Sequence, residues 1–206
     1  MDKYTEKSKK AYNKKASNYT ETFDYKFTKK LKRNFVEYLS TENIDGKNVL
    51  DIACGTGDLL NELHTQNVIV GTGIDIAENM IQEAEKLYGN QFQFQTANAE
   101  DISIETETQD VVLICCAFHH ISNPTKVLSE VNRVLRKNGY LYIADFLFPP
   151  IVNGILNHII YLIHNSGDVK MYSKKELERF CAETGFVVEK YSRIDFTSYI
   201  AKIKKP

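Results

Sequence analysis

The sequence lacks most of the features that would place it outside the ordinary globular class. It has no charge of one sign to spare: 26 Lys and Arg face 27 Asp and Glu, a net charge of −1, so nothing marks a dedicated nucleic-acid or membrane surface. No apolar run approaches the roughly 20 residues of a bilayer-spanning helix. The longest, "IVNGILNHIIYLIH" at 151–164, is interrupted by two Asn and two His. The charged start has no apolar stretch of the kind a secretion signal needs, so none is expected. Four cysteines, Cys54, Cys115, Cys116 and Cys181, show no C-x-x-C spacing. This disfavours a zinc ribbon or a disulfide frame and favours reduced thiols in a cytoplasmic protein. No internal repeat and no low-complexity linker divides the 206 residues, a length suited to one domain.

What is present is an alternation. From residue 48 to 146, short apolar runs ("NVLDIA", "VIVGTGID", "FQFQTANA", "VVLICC", "YLYIADF") are separated by amphipathic stretches at 58–66, 77–88 and 124–139. The last of these opens on a proline and closes on a glycine, as helices tend to. Continuous apolar strands between amphipathic helices predict βαβ units and a parallel sheet covered on both faces. The rhythm changes after a helix at "SKKELERFCAETGF". Two strand-like runs, "FVVEKYSRID" and "TSYIAKIKK", follow with almost nothing between them, so they are expected to pair antiparallel. Residues 1–45 read as helical and outside the sheet. Their first 33 positions hold eleven basic and four acidic residues, which a solvated lysine-rich helix explains well enough.

The stretch "NVLDIACGTGDLL" carries the functional question. A strand running into Gly55-Thr56-Gly57 and then a helix brings backbone N–H groups to the crevice of the sheet. The dinucleotide fingerprint needs a third glycine, where Leu60 stands, and a phosphate loop needs Gly-Lys-Ser/Thr, where Asp58 stands. Asp51 and Asp58 flank the turn, so a polyphosphate would meet like charge. Asp75, at the end of the second strand, suits the two hydroxyls of an unphosphorylated ribose. Its alternative is to cap the helix that follows.

In order and spacing, "VLDIACGTGDLL", "GIDIAENMI", "TANAEDI", "VVLICCAFHHI" and "LRKNGYLYIADF" resemble the motifs of class I S-adenosylmethionine-dependent methyltransferases. Within that class they are similar to the group holding the ubiquinone/menaquinone-biosynthesis C-methyltransferases. The resemblance covers roughly residues 8–200. It implies an α/β fold, a doubly wound, mostly parallel seven-stranded sheet with an antiparallel C-terminal hairpin, and S-adenosylmethionine as cofactor with S-adenosylhomocysteine as product. It implies that Asp51 holds the methionine ammonium, that Ala53, Cys54, Gly55 and Gly57 line the turn, and that Asp75 holds the ribose. By the same resemblance Ile76 packs on one face of the adenine, Asn98 and Ala99 meet its edge, the Cys115 carbonyl faces the ammonium, and Met80 and Glu100 also belong to the cofactor site. Where Asn98 stands, family members often have Asp. Tyr12 and Tyr19, seven apart and hence expected on one helical face, belong to a segment that closes over the cofactor.

Divided by these features, a single domain is expected: a helical lid (1–45), a cofactor-binding core (46–146), a substrate-side insertion (147–172), and a last helix with its hairpin (173–206). In the insertion Ile151, Ile155, Leu156, Ile159, Ile160 and Ile163 recur at helical spacing. Methyl transfer needs a base only for an acceptor that must lose a proton. The candidate catalytic residues are His119 and His120, with Tyr19. No metal site is expected, because no second and third carboxylate or amide accompany Asp145 at the needed places. The acceptor expected is a small, partly hydrophobic molecule, the assembly a monomer or homodimer, and neither a nucleic-acid partner nor a membrane span is expected. Alternatives are an RNA or protein methyltransferase using the basic N-terminus and a non-catalytic S-adenosylmethionine-binding module. A dinucleotide oxidoreductase is a third, but it lacks its third glycine and a Tyr-x-x-x-Lys pair downstream.

Overall fold

The computed structural model describes residues 2–148 and 167–206. Seven strands form one sheet in the order β3-β2-β1-β4-β5-β7-β6. They are β1 (Asn48–Ile52), β2 (Val70–Asp75), β3 (Gln93–Thr96), β4 (Gln109–Cys115), β5 (Leu135–Phe146), β6 (Val187–Arg193) and β7 (Ser198–Lys204). The first five are parallel, and β7 enters antiparallel between β5 and β6. The doubly wound sheet and its reversed C-terminal hairpin are therefore as the alternation and the short last connection imply. The sheet order reverses between β1 and β4. There the connections leave on opposite sides and open a crevice at the carboxyl ends of the strands.

Alternate residues of each strand feed two cores, as a two-residue side-chain period requires. On β1 and β4, Leu50, Ile52, Val112 and Ile114 pack with α5 (Pro124–Val134) and α6 (Lys174–Glu183). Val49, Val111 and Leu113 pack on the other face with α2 (Phe23–Ser40), α3 (Asp58–His64) and α4 (Glu78–Tyr88). Before the sheet lies α1 (Lys3–Lys15), followed by a tight 3-10 segment (Ala16–Glu21). Asp2 caps α1 by accepting from the amides of Tyr4 and Thr5, and its other oxygen accepts from Ser122 Oγ at 2.6 Å. This pins the helix start to the loop beyond β4.

Two local expectations need correction. The helix expected over 124–139 stops at Val134, and Leu135 already pairs with Gln109 across β4. Gly139 is a strand glycine: a Cβ there would lie 2.9 Å from the Arg136 carbonyl and 3.0 Å from that of Asp110. Tyr12 and Tyr19 do not share one continuous helix either. α1 ends at Lys15, and Asn18 leaves helical geometry (φ −133°, ψ 27°). The apolar isoleucines of 151–163 lie outside the described residues.

Glycines on β2 let aromatic rings close down on the sheet. At Gly73 a Cβ would meet the Phe94 ring at 2.7 Å and Cys54 Sγ at 2.8 Å. Gly73→Ala is expected to cost about 1–3 kcal/mol by overpacking, read as a lower urea midpoint at an unchanged slope. Unchanged stability would show that Phe94 and Cys54 move aside freely.

Candidate active site

β1 ends in a turn that L-residues rarely follow. Ala53, Gly55 and Gly57 all have positive φ, at 58°, 56° and 80°. The glycines adopt it freely, while Ala53 does so at a cost of roughly 1–2 kcal/mol. The turn is held by Asp75, whose Oδ2 accepts the Gly55 amide at 2.9 Å and whose Oδ1 accepts the Ala77 amide at 2.8 Å. Asp75 is not the cap of α4, which starts at Glu78 with Ala77 at its N-cap; it fastens the turn that leads into it. Both oxygens bond backbone, and a carboxylate with about four acceptor sites retains capacity for a ligand.

At the bottom of the cleft Asp51 is 2% exposed, and among the described residues its Oδ2 has no hydrogen-bond partner. Burial lifts its pKa to about 8, Lys32 working against that rise and Asp75 adding to it. An unfolded chain would lose this proton near pH 4, so between there and pH 8 Asp51 costs stability increasingly as pH rises. Lys32 lies on the same cleft, its Nζ 3.5 Å from Asp58 Oδ2 and 5.3 Å from the centre of the Tyr25 ring. Burial works against its charge, but Asp58 together with Cys115, Tyr19 and Tyr25 outweighs it and raises the pKa. Asp58 also receives Thr56 Oγ1 at 3.1 Å and the Tyr88 hydroxyl at 3.4 Å. It is the partner of Lys32 rather than an open charge at the turn. Lys32 escaped the sequence reading because it looks like any lysine in "FTKKLKRNF". The available signal was its i,i+4 relation to Thr28, which lines the same wall.

Toward β2 and β3 the cleft is walled by Ile76, Met80, Asn98, Ala99 and Glu100. Asn98 Oδ1 accepts the Glu100 amide at 3.0 Å, and Glu100 is paired with Lys126 at 3.1 Å. Ala53, Cys54, Gly55 and Cys115 complete the β1 and β4 sides. Gly57 is not on the wall. Its Cβ would strike the Phe94 ring at 2.8 Å, so it serves close packing of the turn.

Over the opening sit Tyr12 and Tyr19, ring centres 6.2 Å apart, with Tyr12 edge-on to His120 and its hydroxyl 3.2 Å from His120 Nε2. The kink at Asn18 achieves what a continuous helix was expected to do. Of the two histidines only His120 lines the cleft. His119 is turned to Asp145, which takes its Nδ1 at 2.7 Å and its backbone amide at 2.8 Å, while Nε2 lies 3.4 Å from Asp168. Burial disfavours charge on His119, but Asp145 and Asp168 outweigh it and lift its pKa to about 10. Burial, and then the charge on His119, lower that of His120 to about 4. A ring clasped by two carboxylates holds its proton, so His119 is badly placed for the base role the sequence suggested. Asp168 was not found from sequence, since nothing in "NSGDVK" distinguishes it; Val169 and Lys170 bond the His119 carbonyl and bring it there.

Residues 50–143 match a methyltransferase domain family. The chain is 29% identical over 155 residues to an O-methyltransferase of Aspergillus sclerotiorum, covering 72% of this chain and 58% of that protein. It is 25% identical over 172 residues, 73% of each chain, to the ubiquinone/menaquinone biosynthesis C-methyltransferase UbiE of Campylobacter jejuni. The chain thus spans little more than half the length of the first relative. Geranyl diphosphate C-methyltransferase of Streptomyces coelicolor, solved with Mg2+, geranyl diphosphate and S-adenosyl-L-homocysteine, shares the fold with a TM-score of 0.78 at 12% identity, over 100% of this chain and 99% of that one. With its sheet order and its glycine turn the chain has the Rossmann-like methyltransferase fold, and its residues 50–143 are similar to a methyltransferase domain family.

Proposed function

We propose that the protein transfers a methyl group from S-adenosylmethionine to a small, partly hydrophobic acceptor. The observation that carries this reading is the unsatisfied carboxylate oxygen of Asp51 facing the buried lysine Lys32 across one cleft. A buried carboxyl without a partner is costly, and it suits an ammonium group. Lys32 suits a carboxylate. The pair matches the zwitterionic end of an amino acid, and Asp75 keeps lone pairs for a ribose diol. The cleft wall between them is mostly apolar, with Ile76 and Met80 placed for the faces of a purine and Asn98, Ala99 and Glu100 for its edge. When bound, the cofactor supplies a methyl group on a sulfonium centre.

The chain's own contribution is then positioning and exclusion of water. Tyr12 and Tyr19 close the opening with aromatic rings whose faces attract a cation by about 0.5–2 kcal/mol. The acceptor is placed between these rings, Cys116 and His120. That wall is apolar apart from the Tyr12–His120 pair, which favours a flat or aliphatic molecule with one polar group. The two named relatives act as an O- and a C-methyltransferase, which supports a small-molecule acceptor over RNA or protein. Among the described residues no helix is long and apolar enough to cross a membrane.

Three outcomes test the reading. Titration calorimetry should show S-adenosylhomocysteine binding, with Asp75→Ala weaker by about 2–4 kcal/mol and Lys32→Met by about 1.5–3 kcal/mol. Wild-type affinity in Asp75→Ala would remove the ribose role. Below pH 7.5 an ammonium ligand displaces the Asp51 proton, so affinity should rise with pH by up to about tenfold per unit. Buffers of different ionisation enthalpy should then report proton release that Asp51→Asn abolishes; equal heats in all buffers would sink the pairing. Finally, residues 2–21 should gain hydrogen-exchange protection on adding ligand, and unchanged exchange would make this segment packing only.

A further inference from the structure

The chain holds a second cluster of chemistry behind the acceptor wall. The turn between β4 and α5 presents His119 and His120 side by side, ring centres 4.2 Å apart. Opposite them stands Asp168, brought from a distant part of the sequence. We propose that His119 Nε2, His120 Nδ1 and Asp168 Oδ1 form a binding site for a divalent transition-metal ion of the zinc type. The sequence expectation of no metal site considered only partners for Asp145, and this proposal departs from it.

Spacing is the first argument. Asp168 Oδ1 lies 3.4 Å from His119 Nε2 and 3.7 Å from His120 Nδ1, and all three atoms fall within 4.8 Å of one another. Ligand atoms about 2.0–2.2 Å from a tetrahedral ion are about 3.3–3.6 Å apart, so closure onto an ion needs only small side-chain shifts. All three side chains are nearly buried, at 13%, 13% and 15% exposure. An ion there would exchange few of its protein ligands for bulk water.

The second argument is tautomeric, and it stands apart from spacing. A histidine offers a metal one nitrogen when its other nitrogen carries the proton and donates it elsewhere. His119 Nδ1 is 2.7 Å from Asp145 Oδ1, so with one proton held there an ion need displace only the Nε2 proton to take that nitrogen's lone pair. His120 Nε2 is 3.2 Å from the Tyr12 hydroxyl, so a proton there leaves Nδ1 as a lone pair. Both remaining lone pairs belong to the atoms nearest Asp168. The Asp145–His119 contact is the outer-shell carboxylate that orients metal-bound imidazoles. The carboxylate is fixed in turn, because the amides of Val169 and Lys170 bond the His119 carbonyl at 2.9 and 3.2 Å.

Donor chemistry selects the ion. Two imidazoles and one carboxylate suit Zn2+, Co2+, Ni2+ or Fe2+; Ca2+ and Mg2+ prefer all-oxygen sets. Three protein ligands leave a fourth position open, as in zinc sites that admit water or substrate. Because His120 also lines the cleft, the ion would border the acceptor's side and not the nucleoside's.

The test uses the whole chain, stripped with a chelator and dialysed, without cofactor or acceptor. Added Co2+ should give the visible absorption bands of a tetrahedral site, bleached by competing Zn2+, and Zn2+ should raise the unfolding temperature. Asp168→Asn and His120→Gln, each confirmed as cooperatively folded, should lose the bands and the thermal shift. Asp145→Asn should weaken Co2+ about 10- to 100-fold through His119 alone. Absence of bands in the wild type at millimolar Co2+ overturns the proposal, as does binding that survives both Asp168→Asn and His120→Gln. Since neither methyl donor nor acceptor takes part, such a failure leaves the methyl-transfer reading untouched.

Discussion

The cleft depends on one carboxylate. Asp75 closes the end of β2 and, through its two oxygens, fastens both the Gly55 turn after β1 and the first residues leading into α4. Two segments that would otherwise diverge at the switch in strand order are tied at one point. The left-handed backbone of Ala53, Gly55 and Gly57 is tolerable because that bond, together with the packing of Phe94 against Gly57, over-determines it. Remove the tie and the floor of the cleft loses its shape before any ligand is considered.

The fold was readable because it rests on patterns that sequence displays directly. Continuous apolar runs announce buried parallel strands, and the near absence of a linker between the last two strands forces an antiparallel pair. The glycine turn, Asp51 and Asp75 were legible for a related reason: all lie at strand ends, where residue type alone marks a special backbone or an out-of-place charge. Lys32 and Asp168 were not legible. Each is a common surface residue type, made exceptional only by where the chain carries it. Lys32 becomes buried because α2 turns that face inward against Asp58, and Asp168 matters only because a backbone pairing with His119 delivers it. The choice between His119 and His120 had the same character, since adjacent identical residues differ only in what the fold sets around them.

Charge at the cleft is arranged in depth. Lys32 is neutralised by Asp58 on the side away from the ligand, while Asp51 is left short of partners on the side toward it. The protein therefore keeps a poorly satisfied carboxyl at the base of its cleft. A ligand bearing an ammonium group relieves that shortfall, and the gain is spent on selectivity: a neutral or anionic ligand of the same shape would bring no such relief. The methyltransferase fold sets where a ligand can lie, and this charge arrangement narrows which ligands suit it.

The way α1 is moored has a consequence for timing. It is anchored to α4 by polar contacts: the Lys9–Glu78 ion pair, the Asn13 amide to Glu78 at 2.9 Å and the Asn79 amide to Asn13 at 2.8 Å. An apolar cluster of Ala16, Ala77 and Met80, with Tyr12 and Tyr19 packed against it, backs them, and Asp2 holds Ser122 at the helix start. None of these residues belongs to either main core, so local opening of the element leaves both cores intact. Residence time of a bound molecule is then set by the latch and not by global unfolding. Because ion pairs weaken with added electrolyte, the hold of α1 on α4 is a property that ionic strength adjusts.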